Sequence, residues 1–264
     1  QRLLSMVLAL SMLLTFLPVS AFADDTLLPY EGSQTLKADN TYKDNDNNEY
    51  KYTLNADGAT ATLTKFTVKD ESTKTAAYVP KEVTKGTKTY KVTAIGEYAF
   101  AHPDYIPNTA LKSVNLPDSI QTIGHGAFQG CTSLYEITLW EGLTTIGHGA
   151  FALASLTEVT LPKSLKEVGK TAFASTPAIN TVTYTGTEED WNKLLSSQTF
   201  EDTDTVAESN PQLKTATNHY FAHTVTFDKN GHGAPEEKVV EYNHTTTPIS
   251  KPTADGFTFK GWFT

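Results

Sequence analysis

One six-residue phrase recurs through the middle of the chain and limits what the chain can fold into. Ile123-Gly124-His125-Gly126-Ala127-Phe128 returns as Ile146-Gly147-His148-Gly149-Ala150-Phe151 and again as Val168-Gly169-Lys170-Thr171-Ala172-Phe173. An earlier copy is Ile95-Gly96-Glu97-Tyr98-Ala99-Phe100. From Ile123 to Ile146 is 23 residues, and from Ile146 to Val168 is 22. A fixed period of this length marks a stacked repeat of the leucine-rich kind.

The text between the phrases repeats too. Leu111-x-x-Val114-x-Leu116 is followed by Leu134-x-x-Ile137-x-Leu139, Leu156-x-x-Val159-x-Leu161 and a weaker Ile179-x-x-Val182-x-Tyr184. Apolar and polar residues alternate there, which argues for short strands with one buried face. Pro117 and Pro162 stop two of these strands. A second apolar pair follows in each coil: Ile120 with Ile123, Leu143 with Ile146, Leu165 with Val168. The glycine after the pair is expected to supply a turn with unusual dihedrals, and the closing Ala-Phe to point inward. A coil this short cannot bury enough apolar surface to offset the entropy of ordering its backbone. Its stability must come from its neighbours.

The I-G-x-x-A-F phrase, Cys131 three residues after Phe128, and Leu-Pro after the strand resemble the BspA-like bacterial leucine-rich repeats over about residues 49–222. The resemblance implies a secreted, surface-displayed scaffold that binds host or matrix proteins. The chain departs from the pattern by an expansion after Phe100, a one-residue shortening after Phe151, and Trp140 where proline is usual.

The chain has 264 residues and a net charge of −9 with no basic block, which argues against nucleic acid or an anionic membrane surface as partner. Residues 1–23 are expected to be a secretory signal peptide. Leu3 to Val19 is apolar, Arg2 precedes it, and Ala21-Phe22-Ala23 offers a small-x-small cleavage site. A membrane anchor is the alternative, but the run is short for a span. The single cysteine, Cys131, permits no internal disulfide and is expected to be a small buried side chain rather than a reactive thiol.

Residues 24–48 are polar and are expected to form a disordered linker. Asp44, Asp46 and Asn48 match the first ligand spacings of a calcium loop. Glu49 and Asn55 stand where its glycine and closing glutamate belong, so a solvated linker is preferred. Tyr50 to Phe66 is predicted to be a β-hairpin turning at Asn55-Ala56-Asp57-Gly58, with a second hairpin from Val83 to Val92 through Lys85-Gly86. Residues 49–92 would then cap the first coil. The His102–Pro107 insertion widens one coil, either as a binding loop or as tolerated drift. Thr187 followed by Glu188, Glu189 and Asp190 predicts the start of a closing helix, with Trp191 and Leu194 or Leu195 packed on the solenoid. It looks like the G-T-x-x-x-W-x-x-L ending of BspA-like arrays. Asn210 to Phe221 is expected to be a final strand.

Residues 223–264 resemble part of an internalin-type B-repeat, the Listeria–Bacteroides repeat, which implies a β-grasp-like module. The resemblance rests on Thr224–Phe227 running into Asn230-Gly231, on Val239-Val240-x-Tyr242, and on Gly256-Phe257-x-Phe259-x-Gly261-Trp262. The expected fold class is therefore mainly β: a short solenoid with a hairpin cap and a small helical cap, then a partial β-grasp-like module.

Catalytic and phosphate-binding motifs are absent from the sequence, so no enzyme and no cofactor is expected. His125 and His148 sit one coil apart, but the next coil offers Lys170, so exposed turn residues are preferred over zinc. The strand positions facing outward are Asn115, Thr138, Thr160 and Thr183. Beside them run Ser113, Glu136, Glu158 and Thr181, then Lys112, Tyr135, Thr157 and Asn180. These would stack into columns on an open sheet, with Tyr135 and Trp140 adding aromatic surface. Simple β-propensity also explains the threonines. The sequence thus points to a monomeric, non-catalytic adhesin that contacts host or matrix proteins or glycans. The alternatives are an accessory region of a larger secreted peptidase or glycosidase, and a structural stalk.

Overall fold

The computed structural model describes residues 32–70, 75–101, 106–176, 179–199, 204–220, 222–227 and 236–241. The expected signal peptide and the aromatic end of the second module lie outside them.

Two rows of parallel strands form opposite sides of a flattened coil. One row contains β4 (Thr60–Thr67), β7 (Lys88–Ile95), β9 (Thr122–Ile123), β11 (Thr145–Ile146) and β13 (Glu167–Val168). Its register stacks Leu63, Ile95, Ile123, Ile146 and Val168 in one column. The other row begins with β5 (Thr75–Tyr78), β8 (Leu111–Asn115) and β10 (Glu136–Ile137). It continues through a Thr138–Thr160 bridge into β12 (Glu158–Leu161), β14 (Thr181–Tyr184) and β15 (Thr217–Tyr220).

The closing phenylalanines lie in a file through the interior. Successive ring centroids from Phe66 through Phe100, Phe128 and Phe151 to Phe173 are 5.1, 4.7, 5.2 and 5.3 Å apart. The rings and their alanine neighbours are buried, so each coil supplies one wall of its neighbour's core. Cys131 is buried in the same core.

The repeated glycine has a different role from the one expected. Gly124, Gly147 and Gly169 do not adopt left-handed dihedrals; adjacent coils approach too closely for a side chain. A Cβ on Gly147 would lie 2.6 Å from the His125 nitrogen, and one on Gly169 would collide with the His148 nitrogen. The left-handed residue comes two positions later: Tyr98, Gly126, Gly149 and Thr171 have φ of 51°, 55°, 59° and 54°.

The N-terminal cap starts earlier than predicted. The disordered-linker expectation for residues 24–48 fails from Ser33 onward. β1 (Ser33–Thr35) pairs with β6 (Glu82–Lys85), and β2 (Thr41–Lys43) pairs with β3 (Glu49–Leu54). Tyr42 supplies the missing apolar payload by stacking on Tyr50 at 4.6 Å. Asp44 organises the polar turn by accepting from the backbone nitrogens of Asp46 and Asn48. The two expected hairpins form as β3–β4 and β6–β7. The cap also protects an edge: Tyr50 accepts from the Tyr78 N–H of β5, and Tyr42 donates to the Tyr78 carbonyl.

At the other end, α1 (Glu188–Ser196) is capped by Thr187 and buries Trp191 and Leu194. Asn210 to Phe221 does not form one strand. Asn210 joins α2 (Val206–Ser209) to α3 (Pro211–Thr215), and the strand is confined to β15. Pro at the first helical position explains the turn. Finally, β16 (Ala222–Phe227) and β17 (Glu236–Glu241) form a separate antiparallel pair.

Candidate functional site

The expected contact face is the outer surface of the second row. Its strands are two to five residues long, but parallel pairing aligns them. Ser113 lies beside Glu136, and Glu158 beside Thr181. Thr138 bridges to Thr160, which pairs with Thr183 and continues to His219. Asn115 starts this column and pairs with Tyr78.

Seven of the eight candidate residues therefore share one surface. Asn115, Thr138, Thr160 and Thr183 are half-buried, because inward residues flank them on both sides. Glu136 and Glu158 are exposed and stand side by side in the register, between the neutral Ser113 and Thr181. Tyr135 is 43% exposed. The Lys112 ammonium lies over its ring, 5.7 Å from the centroid, a geometry that favours cation–π attraction.

Trp140 departs from this surface. It follows the strand in the position taken by Pro117 and Pro162 in other coils, and it packs partly against the core. Its Nε1 donates to the Leu116 carbonyl at 2.7 Å. The indole ties two coils together where proline would only end a strand.

The sequence reading missed Tyr78, which is 41% exposed beside Asn115. The signal was present in Tyr78-Val79-Pro80, whose Val-Pro matches the Leu-Pro that ends later strands.

The two histidines sit in the turns that follow β9 and β11 of the opposite row. Their rings stack at 4.9 Å and 4°, and Tyr98 lies 5.1 Å from His125. The imidazoles are face to face rather than converging on a point. Among the described residues no group of three or more histidine, cysteine or acidic side chains could hold a metal.

The family models match the repeat and the second module. The BspA type leucine rich repeat region matches residues 71–205 in six copies, and the Listeria–Bacteroides repeat domain matches residues 223–264. No curated protein matches the chain. A leucine-rich repeat protein from Bacteroides capillosus is 34% identical over 56% of this chain and 99% of its own, with a TM-score of 0.44. One from T. pallidum is 23% identical over 65% of this chain and 78% of its own, at 0.42. The pneumococcal vaccine antigen PcpA is 23% identical over 56% of this chain and 41% of its own, at 0.40. With six repeat copies over half its length, stacked as the phrase requires, the chain belongs to the BspA-type leucine-rich repeat family.

Proposed function

We propose that the chain is a secreted, non-catalytic scaffold of a bacterial cell surface that adheres to host or matrix proteins through the outer face of β8, β10, β12 and β14. Leucine-rich repeats of this family are protein-interaction scaffolds, and neither matched family indicates an enzymatic domain. The observation that carries the reading is the lateral register. It holds Tyr135, Glu136, Glu158, Thr160 and Thr183 at fixed spacing on a rigid support. Such a face can meet an extended partner without the ordering cost that a loop would incur. Among the described residues no helix is long and apolar enough to cross a membrane.

The test is binding of the immobilised full chain to a panel of matrix proteins, with a glycan array in parallel. The Tyr135→Ala/Glu158→Lys double variant is expected to lose at least about tenfold in affinity while its thermal unfolding stays unchanged. Equal binding by wild type and double variant moves the contact off this face. Binding to glycans alone replaces the protein partner. No binding to either panel favours a stalk.

A further inference from the structure

The turn at each copy of the repeated phrase carries a second file of rings, separate from the phenylalanines. Tyr98, His125 and His148 come from three successive coils, and their ring centroids are 5.1 and 4.9 Å apart. The two imidazoles lie 4° from parallel. Tyr98 has φ 51° and lays its ring over Gly126, where an added Cβ would strike it. All three side chains are half-buried.

The backbone beneath gives these rings no room to part. The Tyr98 N–H donates to the His125 carbonyl at 2.9 Å, the Gly126 N–H to the His148 carbonyl at 2.9 Å, and the Gly149 N–H to the Lys170 carbonyl at 3.0 Å. Gly147 lies against the His125 backbone, and Gly169 against that of His148. His125 and His148 are therefore held one coil apart, and their rings can separate only by rotating about side-chain bonds.

The same ridge carries other polar groups. Glu97 holds the equivalent position one coil before His125 and is exposed. Lys170 holds it one coil after His148, with its ammonium 3.5 Å from the Asp204 carboxylate. The Thr171 hydroxyl lies 3.5 Å from His148 Nε2. Between pH 5 and 8, imidazole is the side chain whose charge ordinarily changes.

We propose that the His125–His148 stack is a proton-operated contact, closed while at least one imidazole is neutral and open when both carry a proton. A neutral ring gains from a face-to-face neighbour, charged or not. Two imidazolium rings at this separation put like charges in contact, and the Lys170 ammonium adds to the repulsion from the next coil. Since the coils cannot move apart, the rings answer by swinging outward. A neutral ring stripe becomes two separate cations beside Lys170. The outer faces of β8, β10, β12 and β14 take no part, so this device does not depend on the adhesive reading.

The experiment is an NMR titration of the full chain from pH 8 downward until both imidazoles are protonated, each read from its own carbon-bound ring protons. An Overhauser contact between the His125 and His148 rings is expected at pH 8. It should be lost when the second ring takes up its proton, with the Tyr98 ring resonances shifting in the same step. His125→Phe keeps an aromatic face and binds no proton there, so its contact with His148 is expected to survive the whole titration; His148→Phe serves in the same way. Circular dichroism reports whether each variant is folded, and the Phe128–Phe151 contact is the internal reference for the core. The proposal is overturned if the imidazole contact is missing at pH 8, if it survives double protonation, or if the Phe variants lose theirs over the same range. It is equally overturned if the Phe128–Phe151 contact is lost in the same step, because the change is then global.

Discussion

The Asn210 side chain completes the backbone of the last coil at Phe173. Its Oδ1 accepts from the Phe173 N–H at 3.0 Å, and its Nδ2 donates to the Gly169 carbonyl at 3.2 Å. In the coils before it, the equivalent N–H groups of Phe100, Phe128 and Phe151 donate to the next coil, at Ala127, Ala150 and Ala172. A single amide thus stands in for the peptide group of a coil that does not follow. A second bond from Nδ2 to the Val206 carbonyl fixes the amide to α2.

Removing that amide is expected to unravel the end of the array first. Asn210 is fully buried, so Asn210→Ala leaves the buried Phe173 N–H unpaired, at about 1–3 kcal/mol, while the Gly169 carbonyl keeps its bond from the Ala172 N–H. Asn210→Asp keeps the acceptor but directs a carboxylate at two carbonyls, so it is not expected to rescue. Urea unfolding measures the loss, and hydrogen exchange locates it. The Phe173 amide should lose protection in the variant before the Phe128 amide does. A change within about 0.5 kcal/mol, the range of an ordinary surface substitution, would show that the terminal coil needs no such cap.

Two glycines in one phrase provide an internal control. Gly147 sits under its neighbour: an added Cβ meets the His125 nitrogen at 2.6 Å and the Gly124 carbonyl carbon at 2.7 Å. Gly149 has φ +59°, and its nearest obstacle is the Ala152 Cβ at 3.9 Å. Gly149→Ala should therefore cost about 1–2 kcal/mol of left-handed strain. Gly147→Ala has to push two backbones apart and should cost clearly more. Melting temperatures of the two single variants decide this, and equal losses would contradict the close approach.

These glycines also show where sequence reading stops. The phrase, its period and the inward phenylalanines were legible because Phe128, Phe151 and Phe173 recur at matching offsets, and stacking turns equal offsets into columns. Distance between coils is not encoded in any periodicity, so the glycine was assigned a dihedral role that belongs to the residue two places on. The Ser33–Lys43 segment departs from the linker expectation because its average polarity hides Tyr42, whose stacking on Tyr50 depends on a partner eight residues away across a turn. Asn210-Pro211 carried a helix-start signal that the strand expectation passed over. On the candidate face, the columns followed from the alternation, but the Trp140 bond to Leu116 did not, since it replaces a backbone device with a side chain.

The phenylalanine file makes neighbouring coils interdependent. Phe128 touches Phe100 on one side and Phe151 on the other. Phe128→Ala removes one ring and both stacking contacts, at about 3–5 kcal/mol. Because stability in a stacked array is a nearest-neighbour property, protection from hydrogen exchange should fall on both sides of the substitution. Phe128→Leu should recover much of the loss by filling part of the space. A loss of protection confined to residues 123–131 would mean that coils hold their shape alone.

Cys131 offers a direct reading of the same core under alkali. Its thiol is buried, its Sγ contacts the Phe100 carbonyl at 3.6 Å, and burial pushes it up from 9.0 to about 12. The native thiol should stay unlabelled by a thiol reagent at pH 8 and react only when the chain opens, because the thiolate is the nucleophile. The raised value also sets a sign for stability. Below pH 9 the thiol is protonated in both states and its contribution is fully present. Between about 9 and 12 the unfolded chain releases the proton while the native chain holds it. Stability should therefore fall as pH rises through that window, by up to about 1.4 kcal/mol per pH unit from this group. Tyr184, raised from 10.0 to about 12 by burial and then by Asp190 and Glu141, acts in the same direction. Cys131→Ala should flatten the decline between pH 9 and 10, where the tyrosine contributes little. An unchanged slope in that variant, or rapid labelling of the native wild type at pH 8, would place the thiol outside the core.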